Sequence, residues 1–273
     1  MHRVSAPLPV DSVVAGILED VAAREARVPF QEIKATSYDA PEPRDAHAAL
    51  LRRGCSVIVE IKRAVPYRGT LPHIESIPEM ARAIEDAGVH LLACQTEKLR
   101  FAGSLEDMWS ARQATSVPMF CRDIIVDPYQ VHEARCYGAD MIPLQVELLG
   151  QARLVSLIDR TESLGMTAVA EVRTPEEADR AIEAGARVIG INAWSVTSDE
   201  IDRDNFANIV PGLPQELVRI AMGGIRSPKD LMHYASIGAD AVMVGETVMA
   251  SDDPPAMARR MTAMGQHPAC PSR

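Results

Sequence analysis

A repeated junction between a helix and a strand is the feature that most constrains the fold of this chain. Four stretches with helical spacing end in glycine and continue at once into a short apolar run: EDAGVHLLAC, RCYGADMIPL, EAGARVIGIN and SIGADAVMVG. Glycine suits the left-handed residue that follows the last turn of a helix. Because the apolar runs do not alternate with polar residues, we expect strands that are buried on both faces, as in a parallel sheet.

Completing this pattern along the chain predicts eight strands separated by amphipathic helices. Three helix starts carry a capping residue followed by proline, at Asp127-Pro128, Thr174-Pro175 and Ser227-Pro228, which is a favoured beginning of a helix. Eight alternating units predict an α/β fold, a closed (β/α)8 TIM barrel. A doubly wound open sheet is the alternative, although the chain lacks the glycine fingerprint of dinucleotide-binding sheets. The strands are expected at residues 57–61, 89–94, 117–121, 140–145, 167–171, 187–191, 217–222 and 240–244.

The barrel accounts for most of the 273 residues, and shorter additions stand at its two ends. Residues 1–50 are expected to form an N-terminal helical extension, since SVVAGILEDVAAREARV has apolar residues at helical spacing. Residues 51–265 are assigned to the barrel and residues 266–273 to a C-terminal tail. We interpret the extension as an addition to the barrel and not as a separate domain.

Charge and cysteine content exclude several classes of function. The net charge of −10 disfavours non-specific binding to nucleic acid or to an anionic membrane, and no apolar run approaches the ~20 residues of a membrane helix. The five cysteines form no CxxC pair and the seven histidines show no metal-ligand spacing, so neither a disulfide framework nor a metal site is expected. We therefore expect a cytoplasmic protein without nucleic acid, membrane or metal partners, and a monomer by default.

Charged residues stand at the carboxyl ends of the first, third and fifth predicted strands. In a (β/α)8 barrel these ends form one mouth, where the reacting groups lie. Glu60 and Lys62 belong to the first strand end, Arg122 to the third and Glu171 to the fifth. Opposed charges in one mouth can shift each other's pKa and support acid–base chemistry. A purely structural ion-pair network at the barrel rim is the alternative.

Glycines end the last two predicted strands, in the segments GGI at residues 223–225 and VGE at residues 244–246. In barrels of this kind, backbone amides at these two positions commonly hold a phosphate group. Glycines that only permit tight turns are the alternative. An anionic substrate would need such a local site, because the chain as a whole is acidic.

Several segments resemble the indole-3-glycerol phosphate synthase family of tryptophan biosynthesis. DIIVDPYQVHEARCYGAD is similar to the family signature DFIVDPYQVYEARxxGAD, and VIVEIKRAVPYRG is similar to VIAEIKRASPSxG. TEKLRFAGS, LGMTAVAEVRTPEEADRAIEAGARVIGIN and GADAVMVGETVM match in order and spacing. The likeness covers nearly the whole chain, including the helical extension, and implies the same barrel.

The resemblance implies a carbon–carbon lyase, a carboxy-lyase that closes an indole ring. The family's substrate is 1-(o-carboxyphenylamino)-1-deoxyribulose 5-phosphate, an anionic arylamino sugar phosphate. A lysine at the end of the third strand protonates the ketone, the arene carbon attacks, CO₂ leaves and dehydration follows. No metal or organic cofactor is implied.

The resemblance also assigns roles to residues of this chain. The catalytic positions of the first and fifth strands, where the fifth-strand glutamate acts as general base, fall on Glu60, Lys62 and Glu171. The positions that contact the substrate fall on Asn192 and Phe101. The phosphate-binding loops fall on Gly224, Gly245 and Glu246.

Other positions of the same mouth depart from the family pattern. The third-strand RKDF motif is here CRDI, so Arg122 replaces the lysine acid. Arginine stays protonated and is a poor proton donor, but it can hydrogen-bond a developing oxyanion. The remaining replacements are expected to face one cavity: Met222 for the glutamate of ESGI, Trp194 for the arginine of NxR, and Val65 and Tyr67 for the serines of SPS. Of these, Met222, Trp194 and Tyr67 are expected to contact the substrate. The fourth strand exit carries Gln145 and Glu147, where the family is mostly apolar.

Three functional hypotheses follow from this mixture of retained and replaced residues. The first is a ring-closing lyase of the family type, acting on the standard substrate or on an altered one in secondary metabolism, with Lys62 as the main acid. The second is Schiff-base chemistry of the aldolase type at Lys62, which requires a lowered lysine pKa. The third is a non-catalytic, ligand-binding paralogue. Because the replacements concentrate at the mouth, we interpret the chain as a divergent paralogue.

Overall fold

The centre of the structure is a closed barrel of eight parallel strands. The structure is a computed structural model and describes residues 9–66, 69–198 and 200–271. The first barrel strand pairs with both the second and the last, which closes the sheet. The predicted (β/α)8 barrel is confirmed, and the strand boundaries differ from the predicted ones by one or two residues. In chain order the barrel strands are β1 (Ser56–Ile61), β4 (Leu91–Gln95), β5 (Met119–Arg122), β6 (Met141–Gln145), β7 (Thr167–Val172), β8 (Val188–Asn192), β9 (Val218–Met222) and β10 (Ala241–Val244). Two short strands after β1, β2 (Ala64–Val65) and β3 (Gly69–Thr70), pair antiparallel outside the barrel.

Helices precede the barrel and cover its outside. Within the described ranges, no helix combines the length and the apolar character that crossing a bilayer requires. The first three helices belong to the extension: α1 (Val10–Glu25), α2 (Phe30–Asp39) and α3 (Ala46–Leu50). The others are α4 (Ile77–Asp86), α5 (Lys98–Phe101), α6 (Leu105–Ala114), α7 (Pro128–Cys136), α8 (Gln151–Ser163), α9 (Pro175–Glu183), α10 (Asn205–Ile209), α11 (Pro228–Ile237), α12 (Glu246–Met249) and α13 (Pro254–Gly265).

Local sequence signals explain where these helices begin and end. The side chains of Asp127, Thr174 and Ser227 each accept a hydrogen bond from a backbone N–H in the first turn of the following helix. Each such cap satisfies a donor that the helix cannot pair internally. The glycines of the four repeated junctions are Gly88, Gly138, Gly185 and Gly238. Their φ angles lie between +82° and +119°, a region that other residues avoid.

The hydrophobic core has two layers, and the strand alternation divides residues between them. Val57 and Val59 of β1 pack outward against the helices, whereas Ile58 packs inside the barrel with Leu91. Residues two apart in a strand share a face. The same alternation therefore turns Glu60, which follows Ile58 by two positions, toward the barrel axis at the carboxyl end of β1.

The N-terminal extension is fixed to the barrel by apolar and polar contacts. Leu50 of α3 is fully buried in the same inner cluster as Ile58. The Arg44 guanidinium donates to the backbone oxygens of Thr115 and Val117, at 2.6 Å each. The Arg44 backbone N–H donates to Asp140 Oδ1 at 2.7 Å. The extension therefore docks on the entry to β5 and β6.

We expect Asp140 to be a main determinant of stability. Its fully buried carboxylate also accepts from Arg112 and from the Met119 backbone N–H, at 2.7 Å each. Asp140→Ala leaves these buried donors unpaired, so the free energy of unfolding should fall by about 3–5 kcal/mol in urea denaturation. The control Asp159→Ala, on the exposed face of α8, should change it by less than about 0.5 kcal/mol. Similar losses in both variants would contradict this role.

Candidate active site

Glu60 and Lys62 form an ion pair at the carboxyl end of β1. Lys62 Nζ lies 2.7 Å from Glu60 Oε2, and the two side chains are 12% and 3% exposed. Both residues line the cavity at the mouth of the barrel. The ammonium group is therefore a hydrogen-bond donor that a ligand in this cavity can reach.

A second ion pair crosses the mouth from β5 to β7. The Arg122 guanidinium donates to Glu171 Oε1, and Arg122 Nε lies 3.8 Å from Glu60 Oε1, so Arg122 connects the two carboxylates. Burial lowers the pKa of Arg122, but the negative charges of Glu171 and Glu60 outweigh burial and raise it overall. Arg122 therefore stays positively charged. The structure thus brings together the four charged residues that were expected to converge, Lys62 included.

Three amide side chains hold these carboxylates from the sides. Gln95 Nε2 donates to Glu60 Oε1 at 3.3 Å. Gln145 Nε2 and Asn192 Nδ2 donate to Glu171 Oε2 at 3.5 Å and 3.3 Å. No catalytic role was predicted for Gln95 or Gln145. Their position at the inward end of a barrel strand is the signal that identifies them.

The mouth contains a cavity of about 370 Å³, which we call the large compartment. Phe101 and Trp194 on its wall stand edge to face, with their ring centroids 5.5 Å apart. Val65 and Ile201 add further apolar surface. A flat aromatic ligand can pack against such a wall.

Glycines and cations line another part of the large compartment. Gly223 and Gly224 have φ of +77° and +68°. A Cβ atom at position 245 would lie 2.8 Å from Lys62 Cε, so Gly245 is required where β10 approaches Lys62. Arg226 lines the same cavity. The Lys62 ammonium and the Arg226 guanidinium are the two cations that can pair with an anionic group in this part.

Most of the predicted site residues line the large compartment or the inner end of the mouth, but Met222 does not. Asn192 and Glu246 line the large compartment as well. Met222 does not reach the cavity wall: it is 2% exposed and packs in the inner core below the mouth. Its Sδ occupies the space over Gly190, where a Cβ atom would lie only 2.5 Å away. Tyr67 lies outside the described residues.

A smaller cavity of about 30 Å³ adjoins the large one, and we call it the inner compartment. Glu171 lines this cavity and not the large one, whereas its partner Arg122 lines both. The residues that line both compartments are Gln95, Phe101, Arg122, Asn192 and Trp194. The residues that line the inner compartment alone are Asp123, Ile124, Gln145, Glu147, Glu171, Arg173 and Val196.

Two carboxylic acids of the inner compartment have raised pKa values. Burial raises the pKa of Asp123 to about 6, although hydrogen bonds from Thr96 Oγ1 and from the Ile124 backbone N–H oppose the shift. Burial also raises the pKa of Glu147, against hydrogen bonds from the segment that follows Trp194. Ionising these groups is therefore costly, and adding a further negative charge would cost more.

Among the described residues, the site offers neither a group of metal ligands nor an activated thiol. Within residues 9–66, 69–198 and 200–271, no three His, Cys, Asp or Glu side chains are grouped so that they could hold a metal ion. Cys94 and Cys121 lie near the carboxyl ends of β4 and β5. Burial raises the pKa of both thiols. A buried thiol with a raised pKa does not supply a thiolate nucleophile.

The fold and the site together define a (β/α)8-barrel protein with linked ion pairs in a cavity at the carboxyl ends of its strands. Comparison with known proteins identifies the family. The family model described as indole-3-glycerol phosphate synthase matches residues 10–261. Proteins named indole-3-glycerol phosphate synthase from Mycobacterium avium and Mycobacteroides abscessus are 51% and 52% identical to this chain, over 96% of each chain. The chain belongs to the indole-3-glycerol phosphate synthase family.

Solved structures with similar folds are more distant in sequence. The 3-hexulose-6-phosphate synthase from Salmonella typhimurium matches 78% of this chain and all of its own, with a TM-score of 0.62 and 16% identity. A thiamine phosphate pyrophosphorylase from Pyrococcus furiosus matches 77% of this chain and 95% of its own, with a TM-score of 0.59 and 18% identity. These likenesses concern the barrel fold alone.

The raised pKa of Asp123 predicts a specific dependence of stability on pH. Its folded-state pKa of about 6 exceeds the ~3.9 of an unfolded chain. Between pH ~4 and ~6 the unfolded state therefore binds fewer protons, so this group makes stability fall as the pH rises. The variant Asp123→Asn has no titratable group at this position. Its free energy of unfolding, measured in urea at several pH values, should therefore lack the fall of about 2–3 kcal/mol that Asp123 causes. The exposed-site control Asp252→Asn should keep the wild-type profile, and an unchanged profile in Asp123→Asn would refute the assignment.

Proposed function

We propose that this protein is a carboxy-lyase of the indole-3-glycerol phosphate synthase type, which converts an arylamino-deoxyribulose phosphate into an indole product. One observation carries the proposal: in a chain of this family, the Lys62–Glu60 ion pair stands in a cavity that has both an aromatic wall and a glycine-lined part. We also propose a cytoplasmic location, which the five free cysteines support.

The reaction joins the ring carbon that bears the carboxylate to the carbonyl carbon of the sugar. As this bond forms, the electron pair of the C=O bond moves to oxygen, which takes a proton and becomes a hydroxyl group. The bond to the carboxylate then breaks, CO₂ leaves and its electron pair restores the aromatic ring. The hydroxyl group then leaves as water, and the neighbouring CH2 carbon of the new five-membered ring loses a proton, which completes the indole.

The ion pairs of the mouth supply the groups that this reaction needs. Lys62 is the proton donor to the carbonyl oxygen, and Glu60 orients it at 2.7 Å. Arg122 keeps its own proton and instead stabilises the developing negative charge on oxygen through hydrogen bonding. Glu171 is the general base of the dehydration, and it is positioned by Arg122 and Asn192.

The phosphate group fits the glycine-lined part of the large compartment. Among the described residues that line it, three are cationic and two are acidic: Lys62, Arg122 and Arg226 against Glu60 and Glu246. This excess of positive charge favours a phosphate over a neutral group. The Lys62 and Glu60 side chains occupy the space over Gly245, so we expect the phosphate group to bind in this part beside Arg226.

Schiff-base chemistry at Lys62 receives less support from this geometry. A Schiff base needs an amine that is free to attack a carbonyl carbon, whereas the Lys62 amine is held by the Glu60 carboxylate at 2.7 Å. The replacement of the third-strand lysine by Arg122 supports a different expectation, namely that the standard substrate is converted slowly.

Lys62 is expected to be essential for turnover. The test substrate is 1-(o-carboxyphenylamino)-1-deoxyribulose 5-phosphate, and indole fluorescence reports the product. Removing the proton donor in Lys62→Met should lower kcat by about 10²–10⁴-fold. The control Lys229→Met changes an exposed lysine of α11 and should keep the wild-type rate. No turnover by the wild-type protein, or equal rates in both variants, would refute the proposed reaction.

Arg122 is expected to limit the rate with the standard substrate. Arg122→Lys places a group that can donate a proton at the end of β5, so kcat should rise by about 10-fold or more. The control Arg187→Lys alters a side chain that is 68% exposed and should leave kcat unchanged. A fall in kcat for Arg122→Lys would instead show that the planar guanidinium is needed.

A further inference from the structure

The segment that follows β8, residues 193–198, carries Trp194 and therefore forms part of the aromatic wall. We call it the wall segment. It belongs to no helix or strand, and backbone hydrogen bonds of 2.8 Å that join Ala193 to Met222 and to Asp202 fix its beginning. The orientation of the Trp194 ring therefore also depends on what holds the residues after it.

Two side chains from distant parts of the chain hold the wall segment beyond Trp194. Glu147, which follows β6, accepts hydrogen bonds from the Val196 backbone N–H at 3.2 Å and from the Thr197 hydroxyl at 3.3 Å. The Arg100 guanidinium of α5 donates to the Val196 backbone oxygen at 2.8 Å. Both backbone polar groups of Val196, a buried residue, are thus bound by side chains of other elements.

These contacts fix the two aromatic residues relative to each other. Arg100 directly precedes Phe101 in α5. Trp194 lies two residues before Val196, so the Arg100 hydrogen bond joins the two backbones that carry the rings. Glu147 holds the same segment from the barrel side. Because an aromatic pair interacts favourably at centroid separations of about 4.5–7 Å, and this pair stands at 5.5 Å, a small movement of the wall segment separates the rings.

Glu147 and Trp194 are both departures from the family pattern, which is mostly apolar at the fourth strand exit and has arginine in NxR. Glu147 is half-buried, and a carboxylate in such a place loses hydration that hydrogen bonds must replace. Its partners Val196 and Thr197 belong to the segment that carries the new tryptophan. The two replacements therefore act on one element of the site.

We propose that Glu147 is a positioning residue that determines specificity for the aromatic part of the substrate. It acts through Trp194, because Glu147 lines the inner compartment alone, whereas Trp194 also lines the large one. By holding the wall segment, Glu147 keeps the Trp194 ring against Phe101, where an arene in the large compartment can pack on it. That the ligand carries an arene rests on the proposed function, whereas the restraint on Trp194 does not.

The fluorescence of Trp194 tests the restraint without any ligand. The chain has two tryptophans, so Trp109→Phe, at a position of α6 that is 42% exposed, leaves Trp194 as the only one. In that background Glu147→Leu should raise the acrylamide quenching constant of Trp194 by at least about 2-fold, because the wall segment opens more readily. The control Glu183→Leu, on the exposed surface of α9, should leave the constant unchanged.

A conservative variant separates the hydrogen bonds of Glu147 from its charge. In Glu147→Gln the amide oxygen can accept from Val196 and the amide nitrogen can donate to the Thr197 hydroxyl, so the quenching constant should stay at the parent value. Circular dichroism verifies that each variant is folded. If Glu147→Leu is not folded, Thr197→Val decides, because it removes one hydrogen bond of Glu147 and should raise the constant by about 1.5-fold or more. An unchanged constant in the folded variant overturns the proposal.

Calorimetric titration with 2-aminobenzoate tests the effect on specificity. Glu147→Leu should weaken binding by about 3–10-fold, the range that loss of one aromatic contact implies. Removing an acid near this anionic probe would by itself strengthen binding, so the loss of affinity has the opposite sign to a direct effect of charge. Glu147→Gln should bind at least as tightly as the wild-type protein. Equal or tighter binding by Glu147→Leu, or no binding by the wild-type protein, overturns the proposal.

Failure of the positioning role and failure of the proposed reaction give different results. With the arylamino-deoxyribulose phosphate, Glu147→Leu should raise KM by about the same 3–10-fold and keep kcat within about 2-fold, since packing on the wall is lost equally from the ground state and the transition state. Turnover by the wild-type protein, with neither KM nor Trp194 quenching changed in Glu147→Leu, rejects the positioning role and retains the reaction. Stronger quenching and weaker 2-aminobenzoate binding in Glu147→Leu, without turnover by the wild-type protein, retain the positioning role and reject the reaction.

Discussion

The guanidinium group of Arg122 is the constraint on which the arrangement of the barrel mouth depends. It is a buried cation, and such a group is tolerated only where opposite charges and hydrogen bonds replace the water that it loses. Glu171 and Glu60 supply that compensation from two other strands, and amide groups in turn orient both carboxylates. The same side chain lines both compartments. The electrostatics of the mouth therefore form one unit, in which changing any member alters the environment of the others.

The barrel could be predicted from the sequence because its signals are local. A glycine with positive φ after a helix and a capping residue such as Asp127 act within a few residues, so the chain displays them directly. The inward position of Glu60 follows from the two-residue period of β1, and the convergence of Glu60, Arg122 and Glu171 follows from barrel geometry. These expectations needed no knowledge of side-chain packing.

Other features of the site depend on contacts between distant parts of the chain. Met222 packs below the mouth because Gly190, on the neighbouring strand, leaves space for its sulfur atom. The inner compartment forms where Gln145, Arg173 and Trp194 from three successive strand ends meet. Neither arrangement follows from the residue types alone, since each depends on the volume that a neighbouring strand leaves free.

The docking of the N-terminal extension has a consequence for the order of events during synthesis on the ribosome. Leu50 packs inside the barrel, and the Arg44 backbone binds Asp140, which the ribosome adds much later. The first strand in turn completes its pairing only when the last strand, β10, has emerged. The segment from Arg44 to Leu50 must therefore wait for these partners after it leaves the ribosome, and exposed apolar surface of this kind makes a folding chain prone to aggregation. Because β1 pairs with β10, closure of the barrel is a late step of folding.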